Sequence, residues 1–361
     1  MSRSIPISSP KLGWRESLAV QKVIKSGILG SGNLVAQFEE NFASKCETTQ
    51  CVAVNSGTSA LHLGLLSLGV GPGDEVIVPS FTFAATANAV LLTGANVIFA
   101  DIDSTTFNLD PANLEHLITD RCKAIVPVHL FGLPADMDPI KQIANKFGIV
   151  VLEDAAQAHG ATYKGKMTGN LGDVAAFSFY ATKNITTGEG GAITTNLQGV
   201  SEASRLLRNQ GMKRVYENEL AGYNNRMTEI QAAIGIVQLK KLSAFNDQRR
   251  KNAAFYNSAL EGVVLPIEPP GSRHVYHQYT ISIPDLDREM VIRELEKASI
   301  QTRVYYPIPL HTMTYFMKNV ELKNAEKASR SVFSIPVHPN LRQRDCEHIV
   351  KAINRVAGFG A

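Results

Sequence analysis

The fold of this 361-residue chain is predicted best by one stretch, which reads Ser178-Phe179-Tyr180-Ala181-Thr182-Lys183-Asn184. The apolar run that starts at Val174 leads into it and is typical of a strand buried on both faces of a parallel sheet. Lys183 is therefore expected just beyond the end of a buried strand. A lysine in an ordinary loop would be the simplest interpretation if this stretch stood alone.

A second apolar run, which starts at Val150, continues into Glu153-Asp154-Ala155-Ala156-Gln157 and predicts a buried strand with a carboxylate at its C-terminal end. A lysine amine captures a carbonyl only after it has lost its proton, which requires a partly dry pocket that lowers its pKa. Pyridoxal phosphate (PLP) needs such a Schiff-base lysine and also an acid against its ring nitrogen. The two motifs together predict a PLP site in which Lys183 and Asp154 are the catalytic residues.

A third segment, Asn55-Ser56-Gly57-Thr58-Ser59, ends the apolar run 51–54 and opens an apolar helix predicted over 58–68. Gly57 allows backbone N–H groups to approach an anion, the hydroxyl of Thr58 adds a donor, and the helix N-terminus attracts negative charge. A plain helix N-cap is the better interpretation of this segment in isolation. Beside Lys183 and Asp154, the segment predicts a phosphate site.

Short Val/Ile/Ala runs alternate with longer helical patterns from about residue 51 to 196, which predicts an α/β fold with right-handed βαβ units. The predicted strands are 51–55, 75–79, 96–101, 124–129, 150–154, 174–179 and 191–195. One helical pattern over 228–260 then leads to a smaller α+β unit, with a strand at 276–283 and helices at 288–298 and 344–356.

Composition excludes several classes of function. The net charge of +3 is small for this length, and the chain has no long basic block, so we expect no nucleic-acid partner. Its 4 cysteines show no C-x-x-C pairing, and the first residues lack the apolar core of a signal peptide, so we expect a cytoplasmic protein without a membrane span. No metal site is predicted, because His274 and His277 would face opposite ways in a strand.

Further motifs in this order and spacing are Gly71-Pro72-Gly73-Asp74-Glu75-Val76, Pro79-Ser80-Phe81-Thr82-Phe83 and Gly222-Tyr223-Asn224-Asn225-Arg226-Met227. With them, the chain resembles over nearly its whole length the DegT/DnrJ/EryC1/StrS family of PLP-dependent sugar-nucleotide aminotransferases. The resemblance implies the α/β PLP-dependent transferase fold type I, with a mostly parallel seven-stranded sheet flanked by helices. It implies a large PLP-binding domain at 1–245 and a smaller α+β C-terminal domain at 246–361, with the N-terminal segment able to pack on the small domain.

The resemblance also implies roles for single residues. Lys183 would bond to the cofactor and shuttle protons, while Asp154 would keep the ring nitrogen protonated. The implied cofactor contacts are Gln157 at the ring hydroxyl, Ala156 and Phe83 on the two ring faces, Gly57, Thr58 and Ser178 at the phosphate, and Asn224 reaching the phosphate from the neighbouring subunit. The candidate substrate contacts are Arg226, Tyr306 and His311. From the residues alone, a core position is the less favoured alternative for Phe83, a turn residue is the simplest interpretation of Asn224, and Arg226 could equally be a structural ion-pair partner.

The implied reaction moves an amino group from L-glutamate through PLP to a nucleoside-diphosphate-linked keto-sugar, in amino-sugar, polysaccharide or glycosylated-metabolite biosynthesis. A 3-keto sugar is favoured over a 4-keto sugar, and a homodimer with composite active sites is implied. Two alternatives remain: a PLP-dependent sugar dehydratase, in which histidine replaces the lysine, and a non-catalytic PLP-fold sensor. The presence of Lys183 argues against both.

Overall fold

The computed structural model describes residues 4–283, 286–316 and 318–358. The strands are β1 (Gln50–Val54), β2 (Glu75–Pro79), β3 (Asn96–Ala100), β4 (Cys122–Ile125), β5 (Val150–Asp154), β6 (Thr162–Tyr163), β7 (Lys166–Met167), β8 (Val174–Ser178), β9 (Gly191–Thr195), β10 (Met212–Arg214), β11 (Glu217–Asn218), β12 (Ser272–Arg273), β13 (Tyr279–Ile281) and β14 (Phe333–Ile335). The α-helices are α1 (Trp14–Ser26), α2 (Asn33–Cys46), α3 (Gly57–Ser67), α4 (Ala84–Leu92), α5 (Met137–Phe147), α6 (Gln198–Arg208), α7 (Glu229–Leu239), α8 (Leu242–Ala259), α9 (Arg288–Lys297), α10 (Lys323–Ser331) and α11 (Gln343–Val356).

The central sheet has seven strands among the described residues, in the order β1-β9-β8-β5-β4-β2-β3. Strand β9 runs antiparallel to both of its neighbours, and the other pairs are parallel. The prediction of a mostly parallel, seven-stranded α/β sheet is therefore confirmed. Three predicted strands, 75–79, 150–154 and 191–195, coincide with β2, β5 and β9.

Both faces of this sheet are buried under helices. In β1, Val52 and Val54 join the apolar cluster that contains α3 and α4, whereas Cys51 and Ala53 join the cluster on the opposite face with α2, α7 and the start of α8. Successive side chains of a strand point to opposite faces, so a sheet covered on both sides needs apolar residues at every position. This explains the continuous apolar runs in the sequence.

Two predicted elements need correction. The single helical pattern over 228–260 is divided into α7 and α8 around Lys240 and Lys241, where the N–H of Lys241 bonds back to the carbonyl of Gln238 in a tight turn. The predicted strand 276–283 is shortened to β13, because Tyr276 has a φ of 45° and so lies outside extended geometry.

The C-terminal part of the chain has its own apolar cluster, built by α8, β13, α9, β14 and α11. Ile5 joins this cluster, and its backbone exchanges hydrogen bonds with Ser299 and Gln301. Leu310, Phe316 and α10 instead pack on the cluster of the central sheet. The division into a large and a small domain between residues 245 and 246 stays a prediction.

No helix in the three described ranges is both long and apolar enough to cross a membrane.

Candidate active site

The three predicted motifs meet at one edge of the central sheet. Strand β5 ends at Asp154, β8 ends at Ser178, and β1 leads through Ser56 into α3. Strands β5 and β8 are parallel neighbours, and β1 runs in the same direction beyond the antiparallel β9, so all three end at the same edge, where open α/β sheets bind their ligands.

Lys183 follows β8 in a turn, in which its N–H donates to the carbonyl of Tyr180 at 2.9 Å. Burial lowers the pKa of its amine from 10.5 to about 8, and the nearby Asp154 carboxylate opposes this shift. An amine with this pKa is partly unprotonated near neutral pH, as a carbonyl-capturing lysine must be.

Asp154 is 5% exposed and lies at the bottom of the site. Its carboxylate accepts a hydrogen bond from Thr86 Oγ1 at 2.7 Å and another from the Ala156 N–H at 3.1 Å. Burial raises its pKa, while the Thr86 and Ala156 hydrogen bonds and the Lys183 charge act in the opposite direction. The sequence analysis did not predict a role for Thr86. The local feature that could have indicated one is a polar, buried side chain inside the apolar helix α4.

The segment at the start of α3 offers free donors. The hydroxyl of Ser56 accepts the N–H of Ser59 at 3.1 Å, but the N–H groups of Gly57 and Thr58 have no acceptor among the described residues. A Cβ atom on Gly57 would lie 2.7 Å from the Cβ of Ser178, so only glycine fits there. Ser178, Gly57 and Thr58 are thereby brought together around two unused amide donors.

Gln157 is buried and connects Phe131 with Tyr306. Gln157 Oε1 accepts the Phe131 N–H at 2.7 Å, and Gln157 Nε2 donates to the Tyr306 hydroxyl at 3.0 Å. The rings of Phe83 and Tyr306 lie 6.1 Å apart at an angle of 38°. Phe83 is 59% exposed and free to stack on a planar ligand, whereas Phe81 is fully buried in the core.

The remaining predicted residues lie elsewhere. Asn224 is exposed, and its carbonyl accepts from the Asn55 side chain at 3.5 Å. Arg226 donates to Asn209 Oδ1 at 2.7 Å and lines a cavity of about 800 Å³ next to α6. His311 is buried, with its Nδ1 2.6 Å from the hydroxyl of Ser80, so these contacts anchor the 310–312 turn to the end of β2.

His274 and His277, which are close in sequence, contact different partners. His274 stacks on Tyr276 at a ring separation of 3.9 Å, and His277 Nδ1 lies 3.1 Å from Asn184 Oδ1. Within the described ranges, no group of three or more His, Cys, Asp or Glu side chains could hold a metal ion.

These residues fit PLP. Asp154 is a buried carboxylate that forms no salt bridge with any described residue, and such a group requires a cationic partner like a protonated ring nitrogen. The free N–H groups of Gly57 and Thr58 suit a phosphate. Lys183 has the lowered pKa that bonding to an aldehyde requires.

Comparison with known proteins agrees with this geometry. The profile of the DegT/DnrJ/EryC1/StrS aminotransferase family matches residues 10–354. GDP-perosamine synthase of Caulobacter vibrioides is 41% identical over 363 residues, which cover 98% of each chain. The dTDP-3-amino-3,4,6-trideoxy-alpha-D-glucose transaminase of Streptomyces venezuelae is 39% identical over 347 residues, which cover 94% of this chain and 91% of the relative.

Among solved structures, the X-ray structure of S. venezuelae DesV in complex with a ketimine intermediate matches with a TM-score of 0.95 and 38% identity, covering 99% of both chains. The aminotransferases of this family depend on PLP, the cofactor that the sequence motifs predict. The chain belongs to the DegT/DnrJ/EryC1/StrS aminotransferase family and is a PLP-dependent aminotransferase.

Proposed function

We propose that this enzyme transfers an amino group from L-glutamate to a nucleoside-diphosphate-linked keto-sugar. The observation that carries the proposal is the pairing of Lys183, whose pKa is lowered to about 8, with the buried Asp154 at the carboxyl edge of the sheet. A sugar dehydratase of this fold would have histidine in place of Lys183, and a sensor would have no need to keep both groups.

Each cofactor contact has a side chain that suits it. Lys183 would bond to the cofactor, and its released amine would then carry the proton between the substrate carbon and the cofactor carbon. Asp154 keeps the ring nitrogen protonated, and Thr86 orients its carboxylate. When bound, PLP supplies an electron sink for the bonds broken at the substrate carbon.

The other contacts hold the cofactor in place. The N–H groups of Gly57 and Thr58, together with the Ser178 hydroxyl, bind the phosphate. Gln157 has a second amide hydrogen beside the one donated to Tyr306, and it reaches the ring hydroxyl. Ala156 and the exposed face of Phe83 would pack against the two faces of the cofactor ring.

The acceptor is a sugar nucleotide because the two relatives are named for sugar nucleotides, one with GDP and one with dTDP. We favour a 3-keto sugar, as in the second of these names, over a 4-keto sugar. Tyr306 stands between Gln157 and Phe83, where a sugar at the cofactor would meet its hydroxyl. His311 and Arg226 stay candidate substrate contacts, although their present hydrogen bonds are to Ser80 and Asn209.

The active form is a homodimer in which Asn224 completes the partner's phosphate site. The support is a set of exposed hydrophobic residues: Val215 is 77% and Tyr216 is 91% exposed in the segment between β10 and β11, and Phe83 is 59% exposed at the site. Where such residues form a contiguous patch, they mark a protein–protein interaction site. The enzyme works in the cytoplasm, where its unpaired cysteines would stay reduced.

A visible absorbance spectrum tests the proposal. Purified enzyme with PLP should show a band that L-glutamate bleaches and that one member of a panel of GDP-, dTDP- and UDP-linked 3-keto and 4-keto sugars restores. Lys183→Ala should abolish both changes. A band that glutamate leaves unchanged, or full turnover by Lys183→Ala, would refute the proposed reaction.

A further inference from the structure

Asn246 of α8 is a buried side chain outside the cofactor contacts. It is 3% exposed. Its Oδ1 accepts a hydrogen bond from Asn184 Nδ2 at 2.8 Å, and its Nδ2 donates to the carbonyl of His159 at 2.8 Å. Asn184 directly follows Lys183, and His159 lies five residues after Asp154. One amide therefore links the loop of the lysine to the loop of the acid.

The surroundings leave this amide little freedom. Gly160 has a φ of 75°, and a Cβ atom on it would lie 3.0 Å from Asn246 Nδ2. Asn184 is itself 3% exposed, and its amide also contacts the Val275 carbonyl at 3.3 Å and the His277 ring at 3.1 Å. Because a carbonyl oxygen only accepts, the Asn184 and Asn246 amide nitrogens must face Val275 and His159. The whole cluster then has one consistent set of donors and acceptors.

We propose that Asn246 is a positioning residue that sets the distance between Lys183 and Asp154, so that both can engage the cofactor at once. The proposal rests on the proposed function, since it assumes that these two residues hold PLP. Displacements of about 1 Å at a reacting group can cost roughly a hundredfold in rate, so a rigid link between the two loops has a direct catalytic consequence.

The charges around Lys183 make the proposal testable by spectroscopy. Asp154 on β5, His159 in the loop after it and His277 before β13 are the titratable groups whose charges interact with that of Lys183. Replacing Asn246 by leucine changes none of these charges. A shifted titration of the nitrogen by which Lys183 bonds to the cofactor would therefore report a changed distance or a changed exposure to water.

The same helix offers a matched control. Asn252 is 5% exposed, and its Nδ2 donates at 3.3 Å to the carbonyls of Val337 and His338, away from both loops. Asn246→Leu and Asn252→Leu each remove a buried asparagine from α8. If Asn246→Leu fails to fold, Asn184→Ala removes the link from its other end.

The experiment titrates the visible band of the PLP-loaded enzymes against pH and measures the glutamate half-reaction. We expect Asn246→Leu to shift the titration midpoint by about half a pH unit or more and to lower the rate constant at saturating glutamate roughly tenfold, with KM changed less than about threefold. Asn252→Leu should lose comparable thermal stability but keep the wild-type midpoint and rate constant.

Two results would overturn the proposal: a wild-type midpoint and rate constant in Asn246→Leu, or an equal shift in Asn252→Leu, which would indicate a general loss of packing. If wild-type enzyme showed no PLP band at all, the proposed function would fail together with this inference. A wild-type band with an unshifted variant would refute this inference alone.

Discussion

At the scale of single residues, the site depends on burying an amine and a carboxylate in one dry pocket. Burial disfavours both charged forms, so it lowers the pKa of Lys183 and raises that of Asp154, while each charge opposes the shift of the other. The Thr86 and Ala156 hydrogen bonds further favour the ionised carboxylate. The arrangement supplies an amine that loses its proton more readily than an ordinary lysine, beside an acid whose hydrogen bonds favour its carboxylate form.

The lowered pKa of Lys183 predicts a pH-dependent cost in stability for the cofactor-free protein. Below pH 8, Lys183 is protonated in both the folded and the unfolded chain, so burial of its charge destabilises the fold to the full extent. Between pH 8 and 10.5 only the unfolded chain keeps this proton, and the destabilisation disappears as the pH rises. Lys183→Met should therefore raise the free energy of unfolding by up to about 3 kcal/mol at pH 7 and by clearly less at pH 10.

Urea unfolding at the two pH values measures this difference. Lys22→Met, a change at an exposed lysine of α1, serves as the control and should show almost no gain at either pH. An equal gain for Lys183→Met at pH 7 and pH 10 would mean that relief of the buried charge is not the cause.

At the scale of elements, helix N-termini are stabilised by groups from distant parts of the chain. Gly32, the N-cap of α2, has no side chain that could accept a hydrogen bond. Glu229, the first residue of α7, fills this role, because its two carboxylate oxygens accept the N–H groups of Leu34 at 3.1 Å and Val35 at 2.9 Å. The carboxylate also favours the positive end of the α2 dipole. The start of α7 and the start of α2 therefore stabilise each other.

This contact predicts that Glu229→Gln destabilises the protein. The change removes the charge and one of the two acceptors at a site that is 5% exposed, so we expect a loss of about 1–3 kcal/mol in the free energy of unfolding. Urea unfolding provides the measurement, and Glu217→Gln on the exposed β11 is the control, for which we expect no loss. Wild-type stability in Glu229→Gln would show that α2 does not depend on this cap.

At the scale of the whole molecule, the chain builds apolar clusters over both faces of the central sheet and another cluster in the C-terminal part. The catalytic edge lies where β1, β2, β5 and β8 end. Phe83, Tyr216 and Asn224 are exposed in a single copy of the chain, and the proposed homodimer would bring a second copy against them. A composite site is the arrangement that would cover them.

Subunit complementation tests the composite site. Lys183→Ala and Asn224→Ala should each be nearly inactive alone, because one lacks the lysine and the other the contact with the partner's phosphate site. After the two variants are dissociated together and reassembled, half of the dimers are mixed and have one intact site, so about a quarter of wild-type activity should return. Reassembly of each variant alone provides the control, and no recovery in the mixture would exclude the composite site.

Much of the fold and of the cofactor site could be predicted, because strands and strand ends are indicated by residues that are consecutive in the sequence. Apolar runs at consecutive positions indicate strands buried on both faces, and the residue after such a run lies at the sheet edge, which is why Asp154 and Lys183 could be assigned. The division of α7 from α8 escaped prediction, because apolar residues continue on both sides of Lys240 and Lys241 and periodicity alone shows no break.

By itself, the sequence determined the α/β class and the PLP cofactor, and it predicted which lysine and which acid serve that cofactor, since each depends on residue types within a few positions of a strand end. Only the tertiary structure decided that Thr86 bonds Asp154, that His311 anchors a turn to Ser80, and that Asn246 links two loops. These contacts join residues that lie 62 to 231 positions apart in the sequence. Their side chains meet only when the sheet order is set, and no local pattern encodes that order.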